Sequence, residues 1–306
     1  MLAAGYAAPV ACCGVDRTLA LVLITHDTKE HTLALIASLA RDPSFPSWEI
    51  VLVDNDSRDA TSEEVAARYP SIRRIYNSPQ RGFAGALNQG VRATIAPFIV
   101  TINPDALSPA GALDELLAVL SSDQRIAAVG PLVRFPDGTV QRHGMYHPRP
   151  LTAAVVLLGL GGLPFFRREA ERYYGRHEPG PAVDVDSLTG ACLMFRRAAW
   201  TDVGPFDERF FLYCEDVDWS MRARQRGWRL VFVPDVGIVH AKAVVSQRRS
   251  TFMIRQYYRS VRRFYGKHYA PAALPPVRAF WYAAAAAQEA AALTLNAFRR
   301  NKGLRY

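Results

Sequence analysis

From Leu19 onward the chain alternates short apolar runs with stretches whose apolar residues recur at helical spacing. Leu19–Thr25 reads as a strand followed by a helix to about Leu39, and Glu49–Asp54 as a strand followed by a helix to Tyr69. This rhythm predicts a parallel sheet covered by crossover helices. Further strands are expected at Ile72–Tyr76, Phe98–Ile102 and Ile126–Val129. Two helix starts carry local signals. Asp27 and Glu30 have capping-box spacing, and Ser108-Pro109 places a cap residue before a proline at the first helical position. Past Pro131 the rhythm loosens, then recovers in Ala191–Phe195 and Leu230–Val233, which flank a helix from about Glu215 to Arg226. The second half is therefore expected to be mixed. After Val245 the chain turns basic and aromatic, and beyond Pro275-Pro276 an alanine-rich helix is predicted from about Phe280 to Phe298. The expected organisation is a flexible start over 1–17, an α/β domain over 18–245 and a helical tail over 246–306.

Half of the 306 residues are hydrophobic, which suits a packed core and excludes disorder or fibre for the whole chain. The net charge of +9 is segregated: residues 248–306 hold twelve Lys and Arg against the single acid Glu289, and the rest holds 25 basic and 27 acidic residues. Such segregation argues against a nucleic-acid binder. It fits a docking tail, for an anionic membrane surface or for a second subunit in a homo-oligomer, as well as a plain solvated basic helix. The four cysteines, Cys12, Cys13, Cys192 and Cys214, show neither metal-ligand spacing nor a disulfide framework, so a reducing, cytoplasmic setting is expected. Residues 1–11 lack the basic flank of a signal peptide. The run Leu151–Phe166 contains three glycines and a proline and stops short of the ~20 residues a spanning helix needs, so no transmembrane segment is predicted.

Four polar clusters lie where strands end, the edge at which open α/β sheets bind ligands. Asp54-Asn55-Asp56-Ser57 follows the second strand; its carboxylates either cap the next helix or accept a hydrogen bond from a nucleobase imide. Asn103-Pro104-Asp105 either forms a simple turn or offers oxygen ligands to a hard divalent cation beside a diphosphate. Glu215-Asp216-Val217-Asp218 opens a helix, whose dipole is expected to keep at least one carboxylate ionised and able to act as a base. His240 follows a strand and a Pro234-Asp235 turn, where a lone histidine is either structural or a ligand. Gly82 and Gly85 admit close approach to the backbone.

Together these signals carry a family likeness. Residues 19–240, about three quarters of the chain, resemble family 2 glycosyltransferases of the GT-A fold, especially their rhamnosyltransferase-like branch. The matching blocks are Val51-Asp54-Asn55-Ser57-Asp59, Arg81 to Asn88, Asn103-Pro104-Asp105 and Gly204-Pro205-Phe206-Asp207-Glu208 to Asp218. Gly190-Ala191-Cys192 precedes the last block and Pro234 to His240 follows it. The likeness implies a metal-dependent, inverting transfer from a UDP- or dTDP-sugar donor to a saccharide or lipid-linked acceptor, with Mg²⁺ or Mn²⁺ as cofactor and a peripheral place at the inner face of the cell membrane. It further implies donor-nucleotide contacts from Thr25, Asp27, Asp54, Asn55, Ser57, Gly82, Phe83, Asn88 and Asn103. A metal would be held by Asp105 and His240, Asp216 would act as general base, and Glu215, Asp218 and Gly190 would support the acceptor side. Two positions depart from the pattern: Asn103 stands where many relatives have aspartate, and Thr25-His26-Asp27 stands where Thr-Tyr-Asn is usual. A nucleotidyltransferase would place a glycine-rich loop after the first strand, and Thr25–Lys29 has no glycine. A processive synthase carries Gln-x-x-Arg-Trp, whereas here Gln256 and Arg259 are followed by Ser260. A non-catalytic sugar-binding relative would not need Asp54, Asp105, Asp216 and His240 together.

Overall fold

A computed structural model describes residues 18–141, 145–147, 152, 155, 160–175, 179–240 and 250–301. The expected flexible start over 1–17, the boundary at 245 and most of the apolar run from 151 to 159 lie outside these residues.

The first half follows the predicted rhythm. Strand β1 (Leu19–Thr25), helix α1 (Lys29–Leu39), β2 (Glu49–Asn55), α2 (Thr61–Arg68), β3 (Arg73–Asn77), α3 (Gly82–Arg92) and β4 (Phe98–Ile102) come in order, with β1 to β4 parallel. Alternation across the pleat sorts β1 between two cores. Leu19, Leu21 and Leu23 pack with Leu35, Ile36 and Leu39 of α1. Ala20, Val22 and Ile24 pack on the other side with Ala84, Leu87 and Val91 of α3. All of β1 is buried because helices cover both faces.

The second half is mixed, as expected. Strand β5 (Ala106–Leu107), α4 (Ala112–Ser122), β6 (Ile126–Arg134), α5 (Arg167–Tyr174), β7 (Val183–Val185), β8 (Cys192–Arg196), α6 (Arg197–Val203), α7 (Glu215–Gln225) and β9 (Arg229–His240) complete the sheet. Its order is β3-β2-β1-β4-β8-β6-β9-β5, with β7 also paired to β9. Strand β8 is antiparallel to both β4 and β6, while β6 and β9 run parallel. The strand order reverses between β1 and β4, and a crevice opens at such a point outside the carboxyl ends.

Several local expectations are corrected. Asp27 does not cap α1. It holds a left-handed φ of 51°, and its carboxylate instead accepts from Arg58 N at 2.7 Å. Helix α4 starts after Gly111 rather than at Pro109, because Ala106–Leu107 are drawn into pairing with β9. Pro234-Asp235 is no turn: β9 runs through it with a register irregularity, Val233 facing Pro131 and Gly237 facing Leu132. The last two helices are α8 (Thr251–His268) and α9 (Pro275–Asn301), the latter opening on the proline pair itself, since a first helical turn needs no intrahelical N–H donor.

Gly90 sets the distance between α3 and the sheet. A methyl group there would come within 2.3 Å of Val22 Cγ1 and 3.2 Å of Val53 Cγ2. Gly90→Ala should therefore lose about 1–3 kcal/mol of stability by overpacking. Adding Val22→Ala should return part of that loss, so denaturant titration of the two single variants and the double variant gives a sub-additive total; additive losses would contradict the contact.

Candidate active site

The crevice begins at the ends of β1 and β2, where Thr25 and Asp54 sit side by side in register. Asp54 is buried; one oxygen accepts from Ser57 N at 2.9 Å and the other has no hydrogen bond among the described residues. Asp54 thus closes its own turn and does not cap α2, whose start at Ala60 has no side-chain cap. The loops after β1 and β2 are tied together by Asp27 N to Ser57 Oγ at 3.1 Å, Lys29 N to Asp59 Oδ2 at 2.8 Å, and His26 Nδ1 to the Asn55 carbonyl at 2.9 Å. The Thr25 hydroxyl is engaged by the loop and by α1, 2.9 Å from the hydroxyls of Thr28 and Thr32.

Other expected donor contacts are occupied inside the protein. The Asn55 amide accepts from Asn77 Nδ2 and Arg81 N and donates to the Gly82 carbonyl. Gly82, at φ 70°, makes room for the Phe211 backbone, whose carbonyl a methyl group would meet at 2.5 Å, and Phe83 N donates to that carbonyl at 2.8 Å. Gly85 lies against Arg81 and Glu208. Asn88 grips Phe206 through both amide groups, at 2.8 and 3.0 Å, and also donates to Glu208. The segment Arg81–Asn88 therefore fastens the stretch 206–211, which leads into α7.

Asp105 and His240, far apart in sequence, are joined because β5 pairs with β9 so that Ala106 faces His240. The carboxylate and Nε2 lie 3.0 Å apart, both buried, and Asn103 Nδ2 is 3.2 Å from the same nitrogen. Gln141 fixes the ring. Its amide nitrogen donates to the His240 carbonyl, so its oxygen, 3.0 Å from Nδ1, must accept from an Nδ1–H. Nε2 is left facing the Asp105 carboxylate, where it can either donate a proton to it or ligate a metal, and Gln141 on Nδ1 matches the second-shell support of metal-binding histidines. The residues fit a divalent ion. Among the described residues no three His, Cys, Asp or Glu side chains converge, so the remaining ligands would come from a diphosphate and water.

The third group is the start of α7. Tyr213 and Cys214 both hold left-handed conformations, φ 70° and 66°, and turn the chain sharply before Glu215. The three acids then differ by environment. Glu215 is buried, its Oε2 unpartnered, and desolvation together with the neighbouring Asp216 charge pushes its carboxyl well above the usual range. Asp218 is fully buried; burial alone would raise it, but hydrogen bonds from His268 and Lys267 and the charge of Arg222 outweigh that and hold it below the ordinary value. Asp216 is partly exposed. Desolvation raises its carboxyl, opposed by hydrogen bonds from Gly190 N at 2.7 Å and Val217 N at 2.8 Å. The acid expected to stay ionised is therefore Asp218, fixed in ion pairs, whereas Asp216 takes its hydrogen bonds from backbone N–H groups alone. One peptide turn joins the last two groups: Asn103 N donates to the Ala191 carbonyl at 3.0 Å, and the adjoining Gly190 N binds Asp216. Gln141, Lys267 and His268 were not among the expected site residues. No motif marks them, and the last two lie in what reads as a basic tail.

A mixed sheet with a switch-point crevice, an Asn-Pro-Asp strand end and a helix-opening acid cluster define a GT-A-like nucleotide-sugar transferase. A family profile described as glycosyltransferase like family 2 matches residues 17–263, and the chain belongs to that family. The N-acetylglucosaminyl-diphospho-decaprenol L-rhamnosyltransferase of Mycobacterium tuberculosis is 30% identical over 256 residues, covering 79% of this chain and 82% of that protein. Rhamnosyltransferase WbbL of Escherichia coli is 23% identical, covering 72% and 82%. Among solved structures, a mannosyltransferase of Pyrobaculum calidifontis in complex with GDP-mannose and Mn²⁺ superposes with a TM-score of 0.53 at 22% identity, over 92% of this chain and 79% of that one.

The environment of Asp216 makes a pH prediction. Its carboxyl lies above the ordinary aspartate value of 3.8 in the folded chain, and a base acts only when ionised. Activity should rise as pH climbs through that raised value, so the acid limb of kcat/KM should lie above pH 3.8. A limb below it would contradict the assignment.

Proposed function

We propose that this glycosyltransferase transfers a hexose or deoxyhexose, rhamnose foremost, from a UDP- or dTDP-sugar to a hydroxyl of a lipid-linked saccharide, with inversion, in cell-surface polysaccharide synthesis. The observation that carries the reading is the Gly190-Ala191 turn, whose Ala191 carbonyl accepts from Asn103 N, two residues before Asp105, and whose Gly190 N donates to Asp216. The free oxygen of Asp54 accepts from the N–H of the uracil or thymine ring. Asp105 and His240, oriented by Gln141, would hold Mg²⁺ or Mn²⁺, which offsets charge on the departing diphosphate. Asp216 takes the proton from the acceptor hydroxyl; the acceptor oxygen bonds to the anomeric carbon while the carbon–oxygen bond to the diphosphate breaks, and configuration inverts in one displacement. The rhamnosyl preference is supported by the names of the Mycobacterium tuberculosis and Escherichia coli relatives.

The experiment is transfer from dTDP-rhamnose and a panel of UDP-sugars to a synthetic prenyl-diphosphate N-acetylglucosamine, with calorimetry of the nucleoside diphosphates. Mn²⁺ should tighten nucleotide binding relative to EDTA in the native chain and not in Asp105→Ala. Equal affinity with Mn²⁺ and with EDTA would refute the metal pair, and no transfer from any donor would refute the reading.

Access to a lipid-linked acceptor is supplied by α9. Its inner side packs on α8, Trp281 stacking 3.8 Å from Tyr265 and Glu289 pairing with Arg262 at 2.6 Å. Leu274, Val277, Phe280, Leu295 and Phe298 stay 48–69% exposed. An apolar row on a strongly basic segment suits an anionic bilayer surface, each engaged cation adding about 1 kcal/mol. No helix among the described residues is long and apolar enough to cross a membrane. The protein should pellet with phosphatidylglycerol vesicles at low salt, less at high salt, and poorly when Val277 and Phe280 are both replaced by Asp. No pelleting at low salt rejects the surface, and dimer dissociation by the double variant would reassign it to a second copy.

A further inference from the structure

Helix α8 belongs to the basic C-terminal region, yet it grips the segment that delivers Asp216. Ser260 Oγ donates to the Leu212 carbonyl at 2.8 Å, Arg263 reaches the Arg209 carbonyl, and Lys267 pairs with Asp207 at 2.8 Å. Rings interlock alongside, Phe252 on Phe211 and Tyr257 on Tyr213, with centroids 5.8 and 5.7 Å apart. The helix ends on the base helix itself. Lys267 Nζ and His268 Nε2 both lie 2.7 Å from Asp218 Oδ1, while Arg222 holds Oδ2 at 2.9 Å.

Asp218 stands two residues after Asp216 in the first turn of α7, and its N–H bonds the Cys214 carbonyl at 2.9 Å. The turn is entered through Tyr213 and Cys214, whose left-handed conformations persist only where surroundings enforce them. On one side Gly82 and Phe83 hold Phe211. On the other, Lys267 and His268 hold the buried carboxylate. A rotation of this turn would swing Asp216 away from Gly190 N.

Resting on the reading of Asp216 as base, we infer that Lys267 and His268 are positioning residues: by sharing one oxygen of Asp218 they fix the orientation of the α7 first turn and so the placement of Asp216. Helix α8 is then part of the catalytic unit, and a tail truncated before it would remove more than a docking surface.

The test compares His268→Ala, His268→Gln, Lys267→Met, Asp216→Asn and Asp216→Asn/His268→Ala in the full chain, reading kcat, donor KM, Mn²⁺-dependent nucleoside diphosphate affinity and Tm. His268→Ala should lower kcat by up to about 100-fold, the penalty of an ångström-scale misplacement, with Lys267→Met acting in the same direction. Donor KM and nucleotide affinity should stay within about twofold. His268→Gln, whose amide can donate to Asp218, should recover most of kcat, and His268→Ala should cost little further when Asp216 is already Asn. The inference is overturned if His268→Ala keeps native kcat, or if kcat, nucleotide affinity and Tm fall together without rescue by Gln. Near-normal turnover in Asp216→Asn instead removes the base assignment, and with it the ground of this inference; an inactive Asp216→Asn beside a fully active His268→Ala sinks the positioning role alone.

Discussion

A carboxylate removed from water must be paired, hydrogen-bonded or protonated, because an isolated buried charge costs far more than folding can return. The structure buries Asp54, Asp105, Glu215 and Asp218, and each meets this demand differently. Asp54 takes one backbone N–H, from Ser57. Asp105 lies against the His240 imidazole, 3.0 Å from Nε2. Glu215 is driven toward its neutral form, and Asp218 is surrounded by Arg222, Lys267 and His268. Asp216, left partly in contact with solvent, takes two backbone N–H bonds and no ion pair, which suits the base role proposed for it. The division of chemical labour follows from where each carboxylate sits.

The sheet sets those places. Parallel strands β1, β2 and β4 bring their carboxyl ends to one edge, so side chains from three separated stretches arrive together without any contact between them being encoded locally. The antiparallel β8 adds Gly190-Ala191 from the opposite direction, and the two-residue strand β5 reaches across to His240 at the end of β9. Backbone pairing thus does most of the positioning, and side chains such as Gln141 refine it.

Much of this was legible in the sequence. The apolar runs marked β1, β2, β4 and β8 well, since burial on both faces leaves little ambiguity, and the acid clusters at their ends stood out once the family likeness was in view. Other contacts were not legible. Gly82 and Asn88 lie in the glycine-rich block, but the residues they hold, Phe211 and Phe206, sit more than a hundred positions away and can be found only in three dimensions. Capping signals at Asp27 and Ser108 lost to tertiary demands, the first to a cross-loop bond with Arg58 and the second to pairing of β5 with β9. Lys267 and His268 carried no local mark of function, because a lysine and a histidine at the end of a basic helix look like ordinary helix-terminal cations.

The spacing of the site along the chain bears on how the protein is made. Asn103 and His240 meet across 137 positions, and the grip on Asp218 closes only when residue 268 has emerged and folded back. During synthesis the edge that carries Thr25 and Asp54 can form early from β1 and β2, whereas the cation pair and the braced acid wait for nearly the whole polypeptide. A nascent or prematurely ended chain would therefore complete the edge that carries Thr25 and Asp54 while Asp105 still lacked His240 and Asp218 still lacked its brace, and the assembled site would appear as a late, concerted event in the life of each molecule.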